Sequence, residues 1–120
     1  LICHGKPGIG KTELAKSVLP GALWVTHMDD LGNFVAGEHT GIIFDDMEFG
    51  HLPRVAQIHL LDCDNDRSIH VRYKTAHIPA GTKKIFTTNT PEGRIVDLDD
   101  GAIERRVTIV DLGSEFLFYA

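Results

Sequence analysis

Three glycines, a proline, two lysines and a threonine lie close together near the amino end of the chain, in the stretch GKPGIGKT. Gly5 is followed, after four residues, by a Gly-Lys-Thr triplet that ends at Thr12, and this is the spacing of a phosphate-binding loop. In such a loop, backbone N–H groups point toward phosphate oxygens, and the following helix adds the unpaired N–H groups of its first turn. The spacing predicts nucleotide binding by eight consecutive residues: Gly5, Lys6, Pro7, Gly8, Ile9, Gly10, Lys11 and Thr12.

The residues on either side of this loop have the patterns of a strand and a helix. The apolar residues 1–3 predict a short strand, and residues 12–19 predict a helix with one apolar face, which a Pro-Gly pair ends. In this context Lys11 is expected to reach the β- and γ-phosphates, and the Thr12 hydroxyl is expected to bind Mg²⁺. The alternative is a surface turn with a chance lysine, which would require neither the strand nor the helix.

Polar side chains follow two further apolar segments. Residues 42–44 predict a buried strand that ends in Asp45 and Asp46, and ligands of open α/β sheets bind at the carboxyl ends of strands. We expect Asp45 to hold Mg²⁺ through water and Asp46 to activate the attacking water, although acidic strand ends are also common without a function. Residues 85–88 predict a strand ending at Asn89, whose amide is suited to holding both that water and the γ-phosphate.

Two arginines, Arg105 and Arg106, precede the last apolar segment in the stretch AIERRV. In a ring ATPase, an arginine of one subunit stabilises the transition state in the site of its neighbour. We expect one of the two to have this role, with a slight preference for Arg106 because it directly enters the strand. The alternative is ion pairing with the acidic residues of the segment 97–100.

Positive charge is concentrated in one segment. The net charge of the 120 residues is −5, but five of the 12 basic residues lie between residues 67 and 84, where there is no Asp or Glu. Local charge decides where a polyanion can bind, and the partial alternation over residues 68–78 predicts a hairpin. The segment is therefore a candidate site for a polyanion.

The other segments complete an alternation of strands and helices, which predicts an α/β fold with a parallel sheet in one domain, residues 1–120. The further predictions are strands at 23–26 and 107–110, a helix at 52–61, a helical turn within 29–41, a turn at 79–81, a loop at 91–101 and a helical turn at 102–105.

Cys3 and Cys63 are expected to be buried, reduced thiols. No apolar run reaches membrane-spanning length, so we expect no membrane association. Because the sequence begins inside a predicted strand, we expect it to be a fragment of a longer protein.

The ordered set GKPGIGKT, IIFDD, HVRYKTAHIPAGTKK, FTTN and AIERRV resembles a superfamily 3 helicase. It is most similar to the helicase domain of replication-initiator (Rep) proteins of small circular single-stranded DNA viruses and related plasmids. The resemblance covers residues 1–110, and the five stretches correspond to the Walker A, Walker B, B′, motif C and arginine-finger segments of that family.

The resemblance implies an AAA+-like P-loop NTPase fold with a B′ hairpin facing the pore of a hexameric ring. It also implies ATP and Mg²⁺ as cofactors, and 3′-to-5′ translocation on single-stranded DNA during rolling-circle replication. The B′ residues that this resemblance implies as DNA contacts are Arg72, Tyr73, Lys74 and His77, of which Tyr73 either stacks on a base or packs against the protein. It implies the host nucleus as location if the source is a eukaryotic virus, and the cytoplasm otherwise. The family's nicking endonuclease motifs are not found in these residues, so nicking is not expected of them. The ring is expected of the full-length protein, and these residues alone are compatible with a monomer.

Other classes of protein remain open at this point. A P-loop kinase acting on a small molecule would need a lid with arginines and an acceptor pocket, and would leave the basic segment unexplained. A nucleotide-gated assembly module would not require Asp45, Asp46 and Asn89 together. A superfamily 3 RNA helicase is not excluded by any of these residues.

Overall fold

The computed structural model describes residues 1–6, 8–72 and 74–113 of the chain. Pro7, Tyr73 and the segment 114–120, with the predictions made for them, lie outside the described residues. The strands are β1 (Ile2–His4), β2 (Leu23–Val25), β3 (Gly41–Asp45), β4 (Arg67–Val71), β5 (Lys74–Ile78), β6 (Lys83–Thr88) and β7 (Ile109–Asp111). The helices are α1 (Lys11–Val18), α2 (Arg54–Leu61) and α3 (Gly101–Glu104), with two 3₁₀ helices at Met28–Asn33 and Pro91–Gly93.

Five of the strands form one sheet in the order β2-β3-β6-β1-β7, and each neighbouring pair is parallel. The carboxyl ends of β1, β3 and β6 therefore meet at one edge of the sheet. The predicted α/β fold with a parallel sheet and flanking helices is confirmed. None of the helices in the described part of the chain has the length and hydropathy needed to cross a bilayer.

The two faces of the sheet bury different layers because strand side chains alternate. On one face, residues such as Ile43 and Ile85 pack against Ala15 of α1 and against Leu19, which directly follows that helix. Gly41 allows this close packing, since a Cβ there would lie 2.5 Å from the Lys83 carbonyl oxygen and 2.7 Å from Leu19 Cδ2.

The other face carries the larger core. Phe44 and Phe86, neighbours in β3 and β6, are stacked with ring centroids 4.6 Å apart, and Phe49 meets both edge-on. This cluster extends to Leu60 of α2 and to Ala76 of the hairpin. The helix α1 thus covers one face, while α2 and the hairpin cover the other.

Strands β4 and β5 form the predicted antiparallel hairpin, paired from Arg67↔Ile78 to Val71↔Lys74. Its outer face carries two cross-strand pairs, Ser68–His77 at 2.9 Å and His70–Thr75 at 3.0 Å. Near the turn, the Arg72 N–H donates to Asp29 Oδ1 at 3.1 Å. The hairpin tip is therefore tied to the first 3₁₀ helix.

Some predicted bounds and burials are wrong. The last strand begins at Ile109 and not at residue 107, because Val107 belongs to the turn after α3 and packs against the core. The helix predicted from residue 52 begins at Arg54, after Pro53. Both cysteines are free thiols, but only Cys3 is buried. Cys63 is exposed because it lies in a polar turn after α2.

Candidate functional site

The glycine-rich loop, residues 5–12, connects β1 to α1. Gly8 and Gly10 have φ values of 79° and 98°, which side-chain-bearing residues rarely adopt. A Cβ on Gly5 would lie 2.7 Å from Ile9 Cδ1 and 2.9 Å from the Gly113 carbonyl oxygen. The glycines thus allow the loop to turn tightly into α1, whose N-cap, Gly10, provides no side-chain cap. The first turn of α1 is in consequence open to an anion.

Backbone hydrogen bonds hold this loop against the neighbouring chain segments. The Gly5 N–H donates to the Thr88 carbonyl at 3.2 Å, and the Lys6 N–H donates to the Gly113 carbonyl at 3.1 Å. The loop is therefore fixed to the end of β6 on one side and to the segment after β7 on the other.

Lys11 connects the loop to the end of β6. Its Nζ donates to the carbonyl oxygens of Gly5 and Lys6, at 3.2 and 2.8 Å, and to Asn89 Oδ1 at 2.6 Å. Burial lowers the pKa of Lys11, and the nearby carboxylates of Asp46 and Asp45 partly oppose that shift. A largely buried ammonium group thus lies among oxygen acceptors, where a phosphate oxygen could also be held.

Asp45 receives hydrogen bonds from three different elements. Its Oδ1 accepts from the hydroxyls of Thr12, at 2.8 Å, and Thr87, at 2.6 Å. Its Oδ2 accepts from Trp24 Nε1 at 3.2 Å. Three donors from α1, β6 and β2 hold this carboxylate beside the first turn of α1.

Asp46 follows directly, in an unusual backbone conformation. Its φ is 54°, in the left-handed region that a non-glycine residue adopts at some energetic cost, and its N–H donates to the Thr87 carbonyl at 2.9 Å. The side chain is solvent-exposed at the rim of the same cleft. The chain turns sharply here, so the two adjacent aspartates do not occupy equivalent positions.

These groups line one cleft of about 460 Å³ at the carboxyl edge of the sheet. Its volume lies within the range of ligand-binding pockets, roughly 300–1,000 Å³. The lining residues are Gly8, Gly10, Lys11, Thr12, Glu13, Lys16, Trp24, Asp45, Asp46, Thr87, Thr88 and Asn89. The cleft thus brings together predicted residues from three separate segments of the sequence.

The donor chemistry of this cleft fits a hard cation. Within the described residues, no group of three or more His, Cys, Asp or Glu side chains could hold a metal by itself. The cleft offers the Thr12 hydroxyl and the Asp45 carboxylate, and Mg²⁺ usually takes one or two protein oxygens together with waters and phosphate oxygens. The residues present therefore fit Mg²⁺ bound with a nucleotide.

Two of the cleft residues that contact Asp45 were not among the predicted site residues. Thr87 is the register partner of Asp45 between β3 and β6, so an alignment of the two predicted strands could have found it. Trp24 is the register partner of Ile43 between β2 and β3, but its side chain reaches Asp45 two positions further along. No spacing signal in the sequence marks that contact.

The two predicted arginines do not line this cleft. They follow α3 and precede β7, and at that end of the sheet the Ile2 N–H donates to the Thr108 carbonyl at 2.7 Å. This is the amino edge of the sheet, opposite the cleft. Arg105 is exposed, whereas Arg106 is half-buried and donates from Nη1 to the Ala102 carbonyl at 2.6 Å.

The alternative of ion pairing with the segment 97–100 is not supported. Asp99 pairs with Arg94 and Asp100 pairs with Arg54, and no ion pair among the described residues includes Arg105 or Arg106.

The basic segment, residues 67–84, presents fewer available cations at the surface than its composition predicts. Arg67 donates from Nε and Nη2 to Asp62 Oδ2, at 2.8 and 2.6 Å. Lys84 is buried and donates to the carbonyls of Leu60 and Asp62, at 2.8 and 2.9 Å. Arg67 therefore joins the base of the hairpin to the end of α2, and Lys84 joins β6 to the same place.

The predicted DNA-contacting residues that the structure describes are exposed on the hairpin: Arg72, Lys74 and His77. The aliphatic stem of Lys74 packs on the first 3₁₀ helix, since a Cβ on Gly32 would lie 2.9 Å from Lys74 Cδ. His77 is hydrogen-bonded across the hairpin to Ser68. The hairpin is thus a firmly packed support for exposed basic side chains.

No protein-family model matches the chain, and none of the curated proteins matches it.

Proposed function

We propose that the chain is the ATP-hydrolysing domain of a superfamily 3 DNA helicase of the replication-initiator type, with a P-loop NTPase fold. The observation that carries this proposal is the convergence of Lys11, Asn89, Thr12 and Asp45 in one cleft. Lys11 and Asn89 are 78 positions apart in the chain, and Thr12 and Asp45 are 33 apart. The sequence pattern predicts the same chemistry for all four residues.

The glycine-rich loop would bind the phosphates of ATP. Its backbone N–H groups and the first turn of α1 provide donors, and Lys11 provides a positive charge to the β- and γ-phosphates. In the structure described here, Lys11 Nζ is bound to two carbonyls of the loop and to Asn89. On nucleotide binding, Lys11 exchanges part of this set for phosphate oxygens.

Thr12 and Asp45 would hold Mg²⁺ together. The Thr12 hydroxyl uses its hydrogen to donate to Asp45 Oδ1, which leaves lone pairs of its oxygen for a metal ligand bond. Asp45 then acts through water, as an acceptor for metal-bound water molecules. When bound, Mg²⁺ would neutralise charge on the phosphate oxygens during transfer of the γ-phosphoryl group to water.

Asp46 and Asn89 would together position the attacking water in the cleft. Asp46 is exposed at the rim, where its carboxylate can accept a proton from water. Asn89 offers a side-chain amide at the end of β6, next to Lys11. Both groups lie at the carboxyl edge of the sheet, where the γ-phosphate would lie beside Lys11.

A ring of subunits would complete this site and couple it to DNA. Arg105 and Arg106 lie at the opposite edge of the sheet, so they are badly placed for the cleft of their own subunit. A neighbouring subunit in a ring could use either of them. The exposed Arg72 and Lys74 on the hairpin would contact the phosphates of single-stranded DNA in the centre of that ring.

Substitution of Lys11 tests the proposal. Lys11→Ala should abolish ATP hydrolysis and weaken binding of a fluorescent ATP analogue, whereas Lys83→Ala, which removes an exposed lysine outside the cleft, should change neither. Circular dichroism would verify that both variants are folded. Unchanged turnover in Lys11→Ala would show that the loop does not bind the reacting phosphates.

A further inference from the structure

Trp24 is the only tryptophan of the chain, and 48% of its surface is exposed. It lies on β2, at the edge of the sheet, and lines the same cleft as Asp45. An exposed tryptophan contributes little to the core, so its position invites another explanation than packing.

The indole is fixed by two polar contacts. Its Nε1–H donates to Asp45 Oδ2 at 3.2 Å. On its ring face, Lys16 Nζ lies 4.8 Å from the ring centroid, which is a cation–π distance. Both the edge and the face of the ring are therefore held.

The hydrogen bond from Trp24 completes the set of donors around Asp45. Thr12 and Thr87 both donate to Oδ1, and Trp24 donates to Oδ2. With donors on both oxygens the plane of the carboxylate is fixed. If the indole N–H is removed, the carboxylate can rotate about the Oδ1 contacts, and Oδ2 is no longer aimed in one direction.

We propose that Trp24 is a positioning residue that orients the Asp45 carboxylate for Mg²⁺, an inference that rests on the proposed nucleotide-hydrolysing function. Removal of a hydrogen-bond partner behind a metal-binding group typically reduces metal affinity about 10- to 100-fold. The inference predicts a loss of this kind for Mg²⁺, without a comparable loss in contacts between the loop and the nucleotide.

Trp24→Phe is the direct test, because it retains an aromatic ring for Lys16 and removes the N–H donor with the pyrrole ring that carries it. Binding of adenylyl imidodiphosphate would be measured by calorimetry at a series of free Mg²⁺ concentrations and in EDTA. We expect the half-saturating Mg²⁺ concentration to rise about tenfold or more, with the affinity in EDTA changed less than about twofold. Val55→Ala, at an exposed position on α2, is the matched control and should change neither quantity.

The single indole allows a second measurement in protein that retains Trp24. Its side-chain N–H gives one ¹⁵N–¹H resonance, which should shift in Asp45→Asn and on addition of Mg²⁺ with the analogue, but not in Val55→Ala. An indole resonance that is insensitive to Asp45→Asn would overturn the contact itself.

The outcomes separate the two proposals. Equal Mg²⁺ dependence in Trp24→Phe and the unsubstituted protein would overturn the role of Trp24 while leaving the proposed function standing. Failure of the unsubstituted protein to bind Mg²⁺ with the analogue would overturn both. An equal loss of affinity with and without Mg²⁺ would assign Trp24 to the shape of the cleft and contradict the inference.

Discussion

Lys11 Nζ and Asn89 Oδ1 lie 2.6 Å apart, so the amino end of α1 is joined directly to the carboxyl end of β6. This contact places an amide beside the ammonium group that would hold the γ-phosphate. In the proposed mechanism Asn89 contributes mainly when charge develops on the attacking water and the phosphate.

Asn89→Ala should therefore lower kcat more than it raises KM for ATP. Loss of one such donor typically reduces kcat about 10²- to 10³-fold. Steady-state phosphate release at varied ATP concentration measures both constants, with Asn33→Ala, an exposed asparagine of the first 3₁₀ helix, as the control. A change confined to KM would indicate that Asn89 assists binding and not hydrolysis.

The two adjacent aspartates should respond differently to the same substitution. Asp46→Asn should retain nucleotide affinity and lose hydrolysis, because Asp46 is exposed at the rim and would activate water. Asp45→Asn should mainly weaken the binding of Mg²⁺, because Asp45 is hydrogen-bonded to Thr12, the other proposed Mg²⁺-binding residue. Binding of an ATP analogue with and without Mg²⁺, together with turnover, separates the two effects. An equal loss of binding in both variants would show that these roles are assigned wrongly.

The arginines after α3 should act only between subunits. One of the variants Arg105→Ala and Arg106→Ala should lose ATP turnover while retaining nucleotide affinity. That inactive variant should regain activity when it is mixed with Lys11→Ala. Arg106 also holds the Ala102 carbonyl, so its substitution should lower the melting temperature more than that of Arg105. Mixtures that remain inactive at every ratio would argue against sites shared between subunits.

The hairpin should contribute to DNA binding and not to ATP hydrolysis in the cleft. Arg72→Ala and Lys74→Ala should weaken binding of single-stranded DNA to a similar extent for different sequences and leave basal ATP hydrolysis largely intact. Each lost phosphate contact should reduce the slope of log affinity against log salt by about 0.7. Fluorescence anisotropy over a salt series measures this, with Lys83→Ala as the control. An unchanged salt slope would remove the hairpin from the DNA interface.

Asp62, which binds Arg67 at the base of the hairpin, should make the free energy of unfolding depend on pH in the acid range. A hydrogen bond from the Asp64 N–H, assisted by Arg67 and Asn65, holds the pKa of Asp62 well below its ordinary value of 3.8. Because the folded-state pKa is the lower one, the stabilisation is fully present above that ordinary value and is lost as the pH falls below it.

Asp62→Asn should lower the free energy of unfolding by about 1–3 kcal/mol at neutral pH, because it leaves Arg67 without its charged hydrogen-bond partner. It should also make the free energy of unfolding less dependent on pH below pH 3.8, the ordinary pKa of Asp62. Urea unfolding at several pH values measures both effects. Asp64→Asn is the control, because it keeps the backbone donor, and an equal effect of both substitutions would contradict the assignment.

The main residues of the cleft could be predicted because local patterns specify them. The spacing from Gly5 to Thr12 requires a tight loop before a helix. Asp45 ends one apolar strand and Asn89 directly follows another. The parallel sheet then brings their carboxyl ends together, which is a property of the fold class.

Other features depend on tertiary contacts that no local pattern encodes. The contact of Trp24 with Asp45 depends on the order β2-β3 and on the direction of one long side chain. Arg67 and Lys84 are counted as surface charge when only the sequence is considered. In the structure, Arg67 donates to the Asp62 carboxylate and Lys84 donates to carbonyls at the end of α2. A charge count cannot detect this, because the partners of Lys84 are backbone carbonyls more than 20 positions away.

The most direct test of the central claim is steady-state phosphate release at saturating Mg²⁺ and ATP, with and without single-stranded DNA. The measurement should cover a range of protein concentrations, because sites shared between subunits require assembly. We expect turnover that rises with protein concentration, is stimulated by single-stranded DNA and is absent in Lys11→Ala. Absence of turnover at every concentration, or turnover that Lys11→Ala retains, would contradict the assignment of this cleft as the site of ATP hydrolysis.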